Sequence, residues 1–183
     1  GAKPVVGISV REWCGWQSYK KEIAAATVQI MREFDARVVF LPMQYPEDVK
    51  TAQTIAAMAG EPVIILEEEY TTSELLSIVG NLDLLISIRL HGLIFAGVMG
   101  VPMVGISYDP KIDRFLDSVG DRPVADLQTV TVENLMAGVR AKWARRKIHP
   151  QENEARLAEL RRLASRNAEL ALEMIEKDKG CPQ

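Results

Sequence analysis

The chain has 183 residues, 48% of them apolar and 26% charged, with a formal net charge of −3. This suits one globular domain with or without an appendage, and nothing in the overall charge recruits nucleic acid. No apolar stretch approaches the ~20 residues of a membrane span, and Pro4–Val10 is too short for a secretory signal and lacks its basic leader.

Pro4–Val10 is rich in β-branched residues and reads as a buried strand. From Tyr19 to Phe34 the spacing predicts a helix, with Ile23, Thr27, Ile30, Met31 and Phe34 on one apolar stripe. Arg37–Leu41 is the next strand, stopped by Pro42. A helix follows over Glu47–Ala59, opened by Pro46 and ended by Gly60. Val63–Leu66 is a strand, and Thr72–Val79 a short helix capped by Thr71 or Thr72. The fourth strand falls within Leu82–Ile88, then a mostly apolar helix runs from His91 to Met99, and Val101–Ser107 is the fifth strand.

Beyond that the pattern loosens. Asp109 caps a short helix that has Pro110 in its first turn and ends near Leu116. Pro123–Ala125 reads as a small sixth strand, Thr131–Arg146 as a helix, and Glu152–Lys177, after Pro150, as a long one. Strand and helix alternate throughout, and the strands are continuous apolar runs. That pattern belongs to an open, doubly wound, Rossmann-like parallel α/β sheet with a long C-terminal helix. The expected division is a domain over residues 1–148 and a helix with tail over 149–183. That last helix reads as packed on its own domain or as leaning on a further one. Two cysteines, Cys14 and Cys181, make neither a disulfide framework nor a metal-ligand spacing, which fits a reducing, cytoplasmic setting.

Open α/β sheets bind ligands beyond the carboxyl ends of their strands. This rule selects Arg11-Glu12-Trp13, Met43-Gln44-Tyr45, Glu67-Glu68-Glu69, Arg89-Leu90-His91-Gly92 and Tyr108-Asp109-Pro110-Lys111. Arg11, Arg89, His91 and Lys111 thereby converge on one edge of an acidic protein, which suggests an anionic ligand. The fourth loop is the sharpest of these. Its His91-Gly92 opens a helix whose free N–H groups and dipole attract anions, Gly92 lets a ligand approach the backbone, and Arg89 can fork onto a carboxylate or phosphate. His91 is also readable as a capping or core histidine, Arg89 as a structural ion-pair partner, and Lys111 as a solvated lysine. Trp13 and Trp16 suit either ligand stacking or packing, and Glu67-Glu68-Glu69 either a sugar hydroxyl or an exposed loop tip. His149, before Pro150, reads as a linker residue. No G-x-G-x-x-G follows the first strand, and neither a P-loop nor a G-x-S-x-G elbow is present.

Three runs carry a family resemblance: Ser87–Ala96, containing Arg89-Leu90-His91-Gly92; Gly100-Val101-Pro102; and Ile106–Lys111. Together with Gly7–Trp13 they resemble the polysaccharide pyruvyl transferases. The likeness is closest to the CsaB-type members, which act on cell-wall polymer precursors in S-layer bacteria. The resemblance implies that this chain is the second half of a two-domain, glycosyltransferase-B-like protein, with an N-terminal domain outside it and no independent activity. It implies His91 as general acid, with Arg89, Lys111, Arg11, Gly92 and Tyr108 as substrate-binding residues. Phosphoenolpyruvate is the implied donor. The implied acceptor is a hexosamine in a lipid-diphosphate-linked disaccharide, which would bring the protein to the inner face of the cell membrane. Arginines and lysine can neutralise such a donor, so neither a metal nor another cofactor is expected. The competing expectations are a nucleotide-binding domain of a glycosyltransferase or sugar-nucleotide epimerase, and a non-catalytic domain that binds a sugar phosphate.

Overall fold

The computed structural model describes residues 1–13 and 16–147, with positions 158, 162 and 169. The long helix expected over Glu152–Lys177 lies outside the described residues except at those three positions, which are helical. His149, Cys14, Cys181 and the expected boundary at 148/149 also lie outside them.

Strand and helix alternate: β1 Val5–Ser9, α1 Ser18–Phe34, β2 Arg37–Phe40, α2 Glu47–Ala59, β3 Ile64–Ile65, α3 Thr72–Gly80, β4 Leu84–Ser87, α4 Leu90–Met99, β5 Met103–Ser107, α5 Pro110–Ser118, β6 Ala125–Asp126 and α6 Val132–Arg145. All pairings are parallel, and the six strands lie in the order β3-β2-β1-β4-β5-β6. This is the open, doubly wound Rossmann-like sheet that the alternation predicts. The chain steps outward from β1 in one direction and returns to β4 on its other side. The connections from β1 and β4 therefore diverge, and a crevice opens between them beyond the strand ends.

Alternate side chains of the buried strands enter two separate cores, one on each face. On one face Ile8, Phe40, Leu84, Ile86 and Ile106 pack under Tyr19, Ile23 and Ile30 of α1, Ile55 of α2, and Leu135 and Val139 of α6. On the other, Leu85, Met103 and Val39 meet Val79 of α3, Leu93 and Ala96 of α4, and Ile112 and Leu116 of α5. The stripe expected on α1 is the buried one: Ile23, Thr27 and Ile30 are all at or below 1% exposed.

Local chemistry fixes the helix ends. Thr71 caps α3 in a reciprocal box with Glu74, and Thr131 does the same for α6 with Asn134. Gly60 ends α2 at φ 65°, a conformation glycine adopts without penalty. Pro46 stands one position earlier than a first-turn proline, as the residue before the first helical one. The outer strands are shorter than their apolar runs. Only Ile64 and Ile65 pair in β3, whose outer edge leaves Ile64 47% exposed, and β6 begins after Pro123, which has no N–H to give a ladder.

Candidate anion site at the sheet's carboxyl edge

The loops beyond β1, β4 and β5 bring Arg11, Arg89, His91, Tyr108 and Lys111 to the same edge of the sheet. Arg11 and Arg89 leave neighbouring strands, since Ser9 of β1 stands in register with Ser87 of β4. They flank the crevice where the strand order reverses.

Arg11 is the most unusual side chain there. Its guanidinium carbon sits 4.9 Å from the centre of the Trp13 ring and 4.7 Å from that of Tyr108. Nη1 donates to the Tyr108 hydroxyl. No carboxylate among the described residues pairs with Arg11, and its Nε is buried without a hydrogen-bond partner. The hydroxyl of Ser9, on the same strand end, is equally buried and unpartnered. Leaving a buried donor unsatisfied costs about 1–3 kcal/mol. A half-buried arginine that lacks its counter-ion is primed for an external anion.

The surroundings hold Arg11 in place. Its carbonyl accepts a 2.6 Å hydrogen bond from the hydroxyl of Tyr19, a fully buried residue of α1. Burial pushes the Tyr19 phenol well above its ordinary pKa, so it stays protonated as a donor. The next residue, Glu12, accepts from Lys20 at 2.6 Å, from Gln17 at 3.0 Å and from Thr51 at 3.4 Å. The hydrogen bond from Lys20 leads the causes that hold the Glu12 carboxyl below its usual range. Trp13 stacks on Trp16 with centroids 5.7 Å apart and leans on Tyr108 at 4.7 Å. The tryptophans thus pack against the core while keeping aromatic faces at the site.

Arg89 fills a different role from the fork on a ligand that its loop suggested. Its Nε donates to Asp48 Oδ2 at 3.0 Å and Nη2 donates to Oδ1, a two-pronged ion pair with a carboxylate only 1% exposed. Asp48 Oδ2 also accepts the backbone N–H groups of Met43 and Gln44 at 3.0 and 2.9 Å. Arg89 therefore latches the loop before α2 to the start of α4. Among the described residues, Nη1 and one Nη2 proton have no hydrogen-bond partner.

Gly92 also differs from expectation. A side chain there would place its Cβ 2.6 Å from Ser87 Oγ, so the space beside it is filled by protein rather than open to a ligand. Ser87 Oγ is itself tied, accepting from Arg89 N–H at 3.0 Å and donating to the Arg89 carbonyl at 2.7 Å. The glycine seats α4 closely on β4. The first turn of α4 has no side-chain cap, so its N–H groups are free to face an anion. His91, the second residue of α4, is exposed and has no hydrogen-bond partner among the described residues.

Lys111 is the second residue of α5. Its side chain is half exposed, its ammonium lies 5.8 Å from the centre of the Tyr108 ring, and Asp109 is a loose partner at 3.7 Å. Tyr108 thus has both cations near its ring, Arg11 closely and Lys111 more loosely. Glu67, Glu68 and Glu69 form an exposed loop.

The residue that sequence reasoning passed over is Asp48. In a linear reading it is an ordinary acid in the first turn of a helix, favoured there by the dipole. The available signal was its place just after the β2 loop, on the ligand-binding edge.

Among the described residues, no group of three or more His, Cys, Asp or Glu is arranged to hold a metal ion, and no helix is long and apolar enough to cross a membrane.

Residues 6–110 match the family model described as polysaccharide pyruvyl transferase. No curated protein sequence matches the chain. Among solved structures it is similar to S. aureus MnaA in a co-structure with UDP, at TM-score 0.63 and 12% identity over 84% of this chain and 40% of that one. It is also similar to a putative UDP-N-acetylglucosamine 2-epimerase from Listeria monocytogenes, at TM-score 0.60 and 14% identity over 82% and 39%. A third is UDP-GlcNAc 2-epimerase from Neisseria meningitidis bound to UDP-GlcNAc, at TM-score 0.56 and 13% identity over 75% and 36%. At these identities the likeness is one of fold, and this chain spans at most 40% of the length of each of the three.

Proposed function

The chain belongs to the polysaccharide pyruvyl transferase family, and from that premise we propose that it carries the donor site for transferring the pyruvyl group of phosphoenolpyruvate, as a ketal, onto a hexosamine of a lipid-diphosphate-linked cell-wall polysaccharide precursor. The observation that carries this reading is Arg11: a half-buried guanidinium without a carboxylate, held between Trp13 and Tyr108. Such a group answers to an anion, and phosphoenolpyruvate supplies both a phosphate and a carboxylate.

In this reading Arg11 and the free N–H groups at the start of α4, that of Gly92 included, receive one anionic group. Lys111, also near the Tyr108 ring, answers the other. Arg89 acts mainly through its latch on Asp48, which sets the start of α4, and offers its remaining N–H groups to the ligand. Tyr108 orients Arg11. His91 protonates the methylene carbon of the donor, making the adjacent carbon cationic, and a sugar hydroxyl attacks there. Phosphate leaves, and the second hydroxyl closes the ketal. Of the two hydroxyl protons released, one restores the proton given by His91 and the other leaves with phosphate. Cations around the developing charge stabilise the transfer.

Residues 1–148 form the donor domain in this scheme and 149–183 its appendage. An N-terminal domain of the same protein completes the active site with its own ligand-binding residues, and the isolated chain does not turn over. Such a protein works in the cytoplasm, at the membrane face where a lipid-linked acceptor resides, as in the CsaB-type enzymes.

Two measurements test the proposal. Calorimetry on this chain should show phosphoenolpyruvate binding that Arg11→Met weakens at least tenfold. Preference for uridine diphosphate over phosphoenolpyruvate would favour a nucleotide site instead. In the full-length enzyme, His91→Gln should retain donor affinity and nearly abolish phosphate release, and near-normal turnover would remove His91 as the acid.

A further inference from the structure

A second concavity adjoins the anion site on the β5–β6 side. It is an open pocket of about 300 Å³ whose walls include Trp16, Ser107, Tyr108, Asp113, Asp126 and Gln128. Its size is at the lower limit of small-molecule sites, ~300–1,000 Å³, which suits a single ring. The lining chemistry is opposite in sign to that of its neighbour. No lysine, arginine or histidine lines it, whereas Asp109, Asp113 and Asp126 all do. A phosphate or carboxylate is repelled there.

A neutral polyol is not. Trp16 and Tyr108 are two aromatic residues of its wall, and aromatic surface suits the apolar C–H face of a pyranose. Around them stand oxygen acceptors for ring hydroxyls and an amide that both donates and accepts. Asp113 has one oxygen engaged, accepting from Ser107 Oγ at 2.6 Å. The side chains of Asp126 and Gln128, both exposed, make no hydrogen bond or ion pair among the described residues, so they meet a ligand without first breaking internal bonds. Tyr108 joins the two halves: its hydroxyl accepts from Arg11, and the same residue lines the pocket. A sugar seated there lies beside the anion that Arg11 would hold.

We propose that this pocket is a carbohydrate subsite that seats the hexosamine ring of the acceptor next to the donor. The assignment rests on the donor reading above. It divides the edge into a cationic half for the phosphorylated donor and an acidic, aromatic half for the uncharged ring.

The test is ¹⁵N NMR on this chain with two probes titrated separately, the methyl glycoside of N-acetylglucosamine and phosphoenolpyruvate. The glycoside should shift the backbone amides of Asp126 and Gln128 saturably, with a dissociation constant on the order of millimolar. The double variant Asp126→Ala, Gln128→Ala should weaken the glycoside at least fivefold and leave phosphoenolpyruvate affinity unchanged. Both positions are exposed, so the variant keeps the fold. Three results would overturn the subsite: no saturable glycoside shift at Asp126 and Gln128, an unaltered affinity in the double variant, or shifts there with uridine diphosphate in place of the glycoside. Phosphoenolpyruvate is read independently, at the Nε–H of Arg11. A silent Arg11 sinks the donor reading, and a responding Arg11 with a silent pocket sinks only the subsite.

Discussion

Replacing Asp48 with alanine removes the carboxylate on which four hydrogen bonds converge, two from Arg89 and two from the backbone of Met43 and Gln44. It also leaves a guanidinium 13% exposed without its counter-ion. Two hydrogen bonds to a charged group contribute about 1.5–3 kcal/mol each. Breaking a buried pair by removing one partner costs about 3–5 kcal/mol. These figures describe overlapping losses and do not add. The slight exposure of Arg89 lets water relieve part of the penalty, which puts Asp48→Ala at about 3–4 kcal/mol, or roughly 6–16 °C in Tm. Asp48→Asn keeps one oxygen for the backbone donors and sets its NH₂ against Arg89 Nη2, so it should cost about half as much. Asp48→Leu with Arg89→Met removes both charges and should recover the part of the loss due to the unpaired guanidinium, while the backbone N–H groups of Met43 and Gln44 stay without their acceptor. Urea unfolding of the four proteins, followed by circular dichroism, measures the series. A cost below about 1 kcal/mol for Asp48→Ala, or no recovery in the double variant, would refute the latch and return Arg89 to the ligand as a free fork.

Three further outcomes follow from the geometry. Gly92→Ala puts a methyl 2.6 Å from a Ser87 hydroxyl already bonded to backbone, so it should destabilise by about 1–3 kcal/mol, readable in the same unfolding assay. Tyr108→Phe removes the acceptor for Arg11 Nη1 and keeps the ring; phosphoenolpyruvate affinity should fall a few-fold by calorimetry, and a larger loss for Tyr108→Ala would report the ring itself. Glu12 has its carboxyl pKa lowered, chiefly by Lys20, so its stabilising contribution is complete above the ordinary glutamate pKa and disappears as pH falls through the lowered value. Glu12→Gln should accordingly be less stable than the parent near neutral pH and indistinguishable from it in acid, as unfolding at the two pH values would show.

Features written within a few residues of each other were legible in the sequence. The apolar stripe of α1, the Gly60 stop, the Thr71 cap and the Asp109-Pro110 start all depend on local periodicity and local hydrogen bonding, and the structure has them. That Arg11, Arg89, His91 and Lys111 share one edge was legible too, because strand alternation plus the carboxyl-edge rule requires only the order of elements. What the sequence does not display is who partners whom across the sheet. Arg89 reads the same whether it forks onto a ligand or onto Asp48, which lies 41 residues earlier. The need for glycine at 92 is set by Ser87 beneath it, not by any turn the local sequence encodes. Arg11 stood out little in the linear reading. Its importance rests on what surrounds it: two aromatic rings, one of them 97 residues away in the chain, and no paired carboxylate among the described residues.

The strand order also has a consequence for assembly. Of this sheet's strands β1 comes first in chain order and sits at its centre, yet one of its two neighbours is β4, which begins at Leu84. Until that strand arrives, β1 has an open edge of unpaired backbone, and the Arg11–Tyr108 contact waits longer still, for β5. Pairings so distant in sequence make folding slow, and the anion site is completed only when the last of them closes. A ligand held there binds the finished domain and has no purchase on the unfolded chain. At a hundred times its dissociation constant it would add about 2.7 kcal/mol to the stability of the folded state. The proposed anion site is thus a clasp across β1, β4 and β5, and its occupancy would report that these three strands have come together.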